Sequence, residues 1–422
     1  MREMKDSGVD WIGEIPHDWE IVQTKRVFRS IKRVVGNQVG EYERLALTLN
    51  GVIKRSKEDN EGLQPEKFEG YQILKENELV FKLIDLENVK TSRVGLSSYT
   101  GLVSPAYIVL TNESKDNRFY YYWFMFMYYN EVFNHLGGDG VRSALNVKDL
   151  IAIPVPFINK CKQHRIADYL DEKCSKIDAI IEKQQAVIEN LKAYKLSVIT
   201  EVVTKGLNPD TEMKDSEIDW IGVIPVHWSL CKLKYVTEIM RGKFNHRPRN
   251  DPKYYDGKYP FVQTGDVARA SKFIETYSQT LNELGYSVSK EFPKGSICMT
   301  IAANVGDVAV LNFDACFPDS VVGFVPGEET HWNYLYYVLS AMKQQFTQNA
   351  IISTQLNLNV EIIKEEFIPI VAYQEQLDIA QYLDNKCSAI ENSILRKKDI
   401  IEKLTAYKKS LIFEVVTGKK EV

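Results

Sequence analysis

Two stretches of the chain carry their apolar residues at alternating steps of four and three. Ile177, Ile181, Gln184, Ile188, Leu191, Lys195 and Val198 form one stripe, and Ile390, Ile394, Lys397, Ile401, Leu404, Lys408 and Leu411 repeat the same steps. Such spacing predicts a coiled-coil seam, and no Pro or Gly interrupts either stretch. A helix of about 40 residues would run roughly 60 Å at its ordinary rise. One such helix alone would leave an apolar stripe in water, so the two copies are each other's natural partners. Gly206-Leu207-Asn208-Pro209 breaks the first helix, the following region starts from its far end, and the second helix returns from there. The pair is therefore expected to be antiparallel. Gln184 and Lys397 hold equivalent seam positions, where polar residues cost stability; they either fix register or mark a frayed or hydrated part of the seam.

Between the helical stretches the pattern changes to short apolar alternations cut by Gly and Pro, the mark of strands and turns. In the first such region these are 76–84, 104–110 and 137–157; in the second, 258–267 and 292–325. Each region also has one aromatic, helix-like segment, 119–133 and His331–Phe346. A closing strand is expected over Gln355–Ile370 in the second region, and Leu145-Asn146 and Leu356-Asn357 fall at matching places just before the closing strand.

The frame around these regions is written twice. MKDSGVDWIGEIPHDW at 4–19 and MKDSEIDWIGVIPVHW at 213–228 share the skeleton DWIG-x-IP-x-x-W, and 163–204 matches 376–417. The second match includes Ala167/Ala380, Tyr169/Tyr382, Asp171/Asp384, Cys174/Cys387, Tyr194/Tyr407 and Lys195/Lys408. The intervening regions, about 20–162 and 229–375, look unrelated to one another. A duplicated frame with a diverged payload predicts two different recognition surfaces in a symmetric arrangement.

Composition narrows the class. Hydrophobic content of 44% and charged content of 26% are those of a soluble globular protein. The first twenty residues lack an apolar run of the secretory kind, and no segment is apolar enough for a bilayer span, so no membrane role is expected. Phe119–Tyr129 is the nearest candidate for a span and reads better as a buried helix. Six cysteines without a CxxC pair suggest reduced thiols and a cytoplasmic setting. The net charge of −4 hides two basic stretches. Residues 22–57 hold nine Lys/Arg against two acids, and 232–258 hold eight against three. Both follow directly on the DWIG…W segment, and paired basic clusters of this kind point to phosphate contact.

Catalytic signatures are missing. There is no GxxxxGK[ST], no GxGxxG opening a helix, no ExK after Pro318-Asp319, no Asn-Pro-Pro-aromatic tetrapeptide and no HExxH. The six histidines have no metal-ligand spacing, so no metal site is expected, and His17 and His227 are expected to be structural.

The repeated DWIG-x-IP-x-x-W, the helix starts with I-A-x-Y-L-D-x-K and the closing AYK…EVVT resemble the specificity subunit of type I restriction–modification systems, over the whole chain. The resemblance implies an α+β architecture: two mixed α/β target-recognition domains at opposite ends of an antiparallel pair of long coiled-coil helices, related by an internal pseudo-twofold. The corresponding domains are 1–162, with its N-terminal conserved arm, and 207–375; the conserved helices are 163–206 and 376–422. It implies a non-catalytic DNA-recognition subunit. Each domain would read half of a bipartite double-stranded DNA site, and the helices would dock two modification (methyltransferase) subunits. Restriction (translocase/nuclease) subunits would join them. S-adenosylmethionine, ATP and magnesium are expected on those partners and no cofactor on this chain. The second variable region departs from a generic member in being slightly acidic overall, so its DNA contacts rest mainly on 232–258. A coiled-coil scaffold bridging two protein partners is the competing reading.

Base reading needs side chains that match groove edges, Arg for guanine and Asn or Gln for adenine. The candidates in the first region are Lys32, Arg33, Arg44, Thr48, Asn50, Lys54, Arg55, Arg142, Ser143 and Asn146. In the second they are Arg241, Lys243, Arg247, Arg249, Tyr254, Gln263, Thr264, Asp266, Asn304, Gln355 and Asn357.

Overall fold

A computed structural model of the chain describes residues 3–49, 51–58, 67–84, 86, 93–114, 116–136, 144–244, 251–352 and 356–422. Its contacts divide the chain into two compact units, 1–184 with 398–422, and 185–397. The division cuts across both long helices, Lys160–Lys205 and Tyr373–Val416, so each unit holds part of each.

The duplicated frame builds the same local structure in both units. In unit 1, Met4–Asp6 pairs antiparallel with Glu14–Pro16; in unit 2, Met213–Asp215 pairs with Val223–Pro225. Gly13 and Gly222 close these hairpins at φ +68° and +67°, a backbone region that side chains with a Cβ avoid. Ile12, Ile15 and Trp19, and their counterparts Ile221, Ile224 and Trp228, are buried in the cores of their units. The strand after each Trp then pairs with the strand that leads into a long helix: Glu20–Gln23 with Pro154–Phe157, and Ser229–Lys232 with Phe367–Ile370.

Everything between those paired strands is variable in sequence, yet the strand order is shared. Unit 1 has one sheet ordered Arg29–Ser30, Ile108–Thr111, Leu79–Lys82, Arg93–Leu96, and another ordered Gly51–Arg55, Arg44–Thr48, Gly101–Val103, Gln72–Leu74. Unit 2 has Thr237–Arg241, Val321–Pro326, Ile297–Thr300, Val308–Leu311 in the same order, extended by Phe273–Ile274. Its second sheet runs Gln279–Leu281, Tyr255–Phe261, Ala315–Cys316, Glu291–Phe292. Even the parallel contact recurs, Leu102 with Arg44 and Phe261 with Cys316, among otherwise antiparallel neighbours in those second sheets.

The aromatic segments are helices Arg118–Tyr129 and Trp332–Ala341, buried on most sides. Each is latched to a long helix by the repeated Asp. Asp171 accepts from the Tyr122 hydroxyl at 2.6 Å and Arg118 Nη1 at 2.5 Å. Asp384 accepts from the Tyr337 hydroxyl at 2.5 Å, Asn333 Nδ2 at 2.8 Å and the Lys272 ammonium. Burial, then the neighbouring carboxylate, pushes both tyrosine hydroxyls far up, so they stay donors. Burial opposes the charge on Asp384, but the bonds from Lys272, Tyr337 and Asn333 prevail and hold its carboxyl below the usual range.

Within each unit the long helices run antiparallel. In unit 1 Lys408 reaches Asp178 at 2.6 Å, while Arg165, earlier on its helix, meets the Val422 carbonyl beyond the end of the other. In unit 2 the equivalent Lys195 pairs with Glu391 at 2.5 Å. Ile177, Ile188, Ile390 and Ile394 are buried, and Ile181, Gln184, Leu191, Lys397, Ile401 and Leu404 are half-buried, while intervening positions are mostly exposed. The four–three stripe is thus the packed face, and the lysine of the AYK motif is a seam residue that crosses to the partner helix.

One expectation fails. The stretch 355–370 is not a single strand. Asn359 caps a short helix, Val360–Glu365, by accepting from Glu361 N at 3.0 Å, and the closing strand is Phe367–Ile370. The true counterpart of Leu145-Asn146 is Leu358-Asn359: both leucines are buried and both asparagines are N-caps.

Candidate nucleic-acid interface

In unit 1, Arg44, Thr48, Lys54 and Arg55 come together on one hairpin, with Arg44 opposite Arg55 and Leu45 opposite Lys54. Thr48 Oγ1 donates to the Gly51 carbonyl at 2.9 Å and closes the turn. Arg44 is buried, with its guanidinium over the Phe68 ring at 5.7 Å. Lys54 is exposed, lies 2.6 Å from Glu43 and 5.2 Å from the Tyr99 ring centroid, and its ammonium pKa is raised chiefly by Glu43. Lys32 is exposed. Arg33 forms a bidentate pair with buried Glu78 at 2.8 and 2.9 Å, which gives it a role in holding its loop. Asn146 is a helix cap, accepting from Lys148 N and Asp149 N within a capping box. Asn50, Arg142 and Ser143 lie outside the described residues.

Unit 1 also has a basic cleft of about 440 Å³ lined by Lys25, Arg26, Arg29, Arg33, Thr111, Asn112 and Glu113. Lys25, Arg26 and Arg29 are exposed and were counted only as part of a basic stretch. Their signal in the sequence was position, immediately after the Trp-bearing strand, rather than residue type.

In unit 2, a cavity of about 460 Å³ is lined by Phe244, Tyr255, Phe261, Gln263, Thr264, Gln279, Ala302, Ala303, Pro318 and Ser320. Arg241, exposed at the end of its strand, donates from Nε to the Asp319 carbonyl at 2.6 Å and so stands beside the Pro318–Ser320 wall. Lys243 is exposed two residues further on, and Asn304 is exposed next to Ala303, whose φ is +62°. Gln263 and Thr264 therefore line this cavity and Arg241 stands at its rim, with Lys243 and Asn304 next in sequence to lining residues. Tyr254 is buried against Phe244, and Asp266 is enclosed, accepting from Gln263 N at 2.9 Å and Ser278 Oγ at 3.1 Å. Both take structural places in the second unit, at odds with the contact roles read from the sequence. Arg247, Arg249, Gln355 and the side chain of Asn357 lie outside the described residues.

Electrostatics differ between the units. Lys232 and Lys234 both pair with Glu365, at 2.6 and 2.5 Å, and the two ammonium groups pull its carboxyl down to about 2. Lys253 pairs with Asp251 at 3.0 Å and Lys258 with Glu283 at 2.9 Å. The equivalent of Glu365 in unit 1 is Ala152, so the cleft around Lys25 has no such acid at that position.

Among the described residues no group of His, Cys, Asp and Glu could hold a metal ion, and no helix is long and apolar enough to cross a membrane. His227 sits 3.3 Å from Glu375 Oε2, whose other oxygen accepts from Trp228 Nε1 at 3.0 Å, a structural setting.

Comparison with known proteins agrees with this geometry. Residues 16–190 and 225–403 each match the family model described as the type I restriction modification DNA specificity domain. A putative type I restriction enzyme MjaX specificity subunit of Methanocaldococcus jannaschii is 24% identical over 97% of this chain and 95% of its own length. The MjaIX specificity subunit of the same organism is 27% identical over 46% of this chain and 45% of its own length. Among solved structures, a chain from a study of complex assembly and conformational transition of the type I R-M system superposes with a TM-score of 0.68 at 14% identity, covering 96% of this chain and 99% of that one. With two family matches, each lying mainly in a different unit, and a repeated frame, the chain belongs to the type I restriction–modification DNA specificity family, as a specificity subunit, the non-catalytic DNA-recognising component of such a system.

Proposed function

We propose that this subunit reads a split site on double-stranded DNA, one half per unit, and carries modification subunits on the exposed faces of its long helices. The observation that carries this reading is the shared strand order with different polar linings. Exposed Lys54 on its hairpin and Lys25, Arg26 and Arg29 at the basic cleft offer cations in unit 1, while the Arg241 rim offers amides and a cavity in unit 2. Cations of this kind would neutralise phosphates and set a salt-dependent affinity, and the amides and guanidinium groups would read bases. Docking is supported by a repeated exposed stripe: Val187 and Tyr194 in unit 2, and their counterparts Ile400 and Tyr407 in unit 1, are exposed by 37% and 53%, and 38% and 54%. Apolar groups left in water at equivalent places are what a repeated partner contact needs. S-adenosylmethionine, ATP and magnesium would belong to those partners.

The test is a genome-wide methylation map in a methylation-free host expressing this chain with the modification subunit of its own system, and each alone. A split motif modified only by the pair is the expected result. Co-purification without any DNA methylation or salt-dependent DNA affinity would favour a protein-bridging scaffold.

A further inference from the structure

We infer that Gln263 and Gln279 form an amide dyad that reads one adenine in the half-site of unit 2, with Gln279 as the reading group and Gln263 as its positioning residue. The inference rests on the DNA-reading function proposed above and adds a base class and a residue, Gln279, to it.

The two amides are hydrogen-bonded to each other, Gln263 Nε2 donating to Gln279 Oε1. Both line the 460 Å³ cavity of unit 2. Their backbones are fixed from opposite directions. Gln279 opens the strand Gln279–Leu281, directly opposite Phe261 in the antiparallel ladder, and Gln263 follows Phe261 by two residues. Gln263 N is tied to the carboxylate of enclosed Asp266 at 2.9 Å, and that carboxylate also accepts from Ser278, the neighbour of Gln279. One buried acid therefore sets the spacing of both amides. This gives Asp266 a purpose that a direct base contact would not.

The chemistry that remains is specific. With one bond spent inside the dyad, Gln279 keeps both Nε2 hydrogens and the second lone pair of Oε1. An amide presenting donor and acceptor side by side matches the N7 acceptor and N6 donor of adenine in the major groove, and no other base shows that pair of groups in that order. A free glutamine would lose three rotatable bonds on contact; this one is already held. Phe244, Tyr255 and Phe261 line the same cavity as the dyad and give it an aromatic lining. Arg241 reaches the Asp319 carbonyl, between the lining residues Pro318 and Ser320, and exposed Lys243 precedes Phe244 in the chain; a phosphate contact from these cations would fix the groove against the dyad. The strained Ala303 lies in the same lining, as backbone outliers at binding sites often do.

The experiment compares methylation maps of the complete complex carrying the native chain, Q279A, Q279E and Q263A. Both Gln279 variants should lose their preference for adenine at one position of one half-site, by about tenfold or more, with the other half-site unchanged. Q263A should keep the preferred base but narrow its margin over the others. Should a Gln279 variant give too little methylation to map, fluorescence anisotropy of the same complex with duplexes carrying each A·T substitution replaces the map. Equal discrimination by native and Q279A complexes, in either assay, overturns the inference. A native complex that modifies no split site would instead refute the DNA-reading function, so the two failures are distinct.

Discussion

Units 1 and 2 differ in nearly every variable residue and agree in strand order, and the contrast shows which interactions specify this fold. The same pair of sheets forms in both, with a parallel contact at the same place, although one is built around Leu45, Leu74 and Val103 and the other around Val262, Phe292 and Phe317. What recurs at residue level lies outside the sheets: the buried Trp, the Asp latch and the seam lysine. Even the latch is met with different chemistry, an arginine shared with Asp116 and Asp168 in unit 1 and a lysine flanked by Trp332 and Tyr336 in unit 2. A frame that sets the ends of a region leaves the interior free to vary so long as it stays apolar and of the right volume.

The largest effect should come from the frame itself. Trp19→Ala or Trp228→Ala should each cost about 3–5 kcal/mol. Hydrogen exchange should place the loss in the unit that holds the mutated Trp, and equal loss in both would show that the units do not fold separately.

Next come the glycines that follow the helices. Gly418 and Gly206 have φ of +73° and +76°, but a Cβ on Gly418 would lie 2.4 Å from Pro16 Cγ, against 3.2 Å from the Trp228 ring for Gly206. Both alanine variants should be destabilised by strain of about 1–2 kcal/mol, with Gly418→Ala worse by a further ~1 kcal/mol or more from the clash. Thermal melts of the two variants decide this.

The latch of unit 2 should respond to pH. The Asp384 carboxyl is held below its ordinary value, so its stabilisation is present above about pH 4 and is lost as pH falls through the folded value. Asp384→Asn should therefore cost about 1–2 kcal/mol at neutral pH and flatten the acid limb of the stability curve. A native-like acid limb in that variant would contradict the pairing with Lys272.

The smallest effect concerns charge. Glu365→Gln frees Lys232 and Lys234, and should steepen the salt dependence of DNA binding by up to about two in log–log slope. Removing Lys25 and Arg29 should flatten it by a similar amount. An unchanged slope in both would remove the basic stretches from the interface.

The helices, their antiparallel sense and the frame were legible because periodicity and duplication are local signals. The sheets were not, since strand order depends on long-range pairs such as Leu102 with Arg44. The alternation over 355–370 looked like one strand because the Asn359 cap divides it without a Gly or Pro. The interface was only partly legible for a chemical reason: the side chains that read bases also cap helices. Asn146 is an N-cap, Asp266 is the third helical residue that holds the backbone N–H of its helix's N-cap, Arg33 is neutralised by Glu78, and Tyr254 fills a core. Gln279 was missed because nothing local distinguishes it in the polar run before Leu281.

Whether each unit reads its own half-site from a shared frame is decided by a chimera. Residues 233–366 of unit 2 would be replaced by 24–153 of unit 1, joining at the paired strands Ser229–Lys232 and Phe367–Ile370. The methylation map of the resulting complex should show a split motif bearing the half-site of unit 1 at both ends. A motif that still carries the native second half would show that residues 233–366 do not choose it.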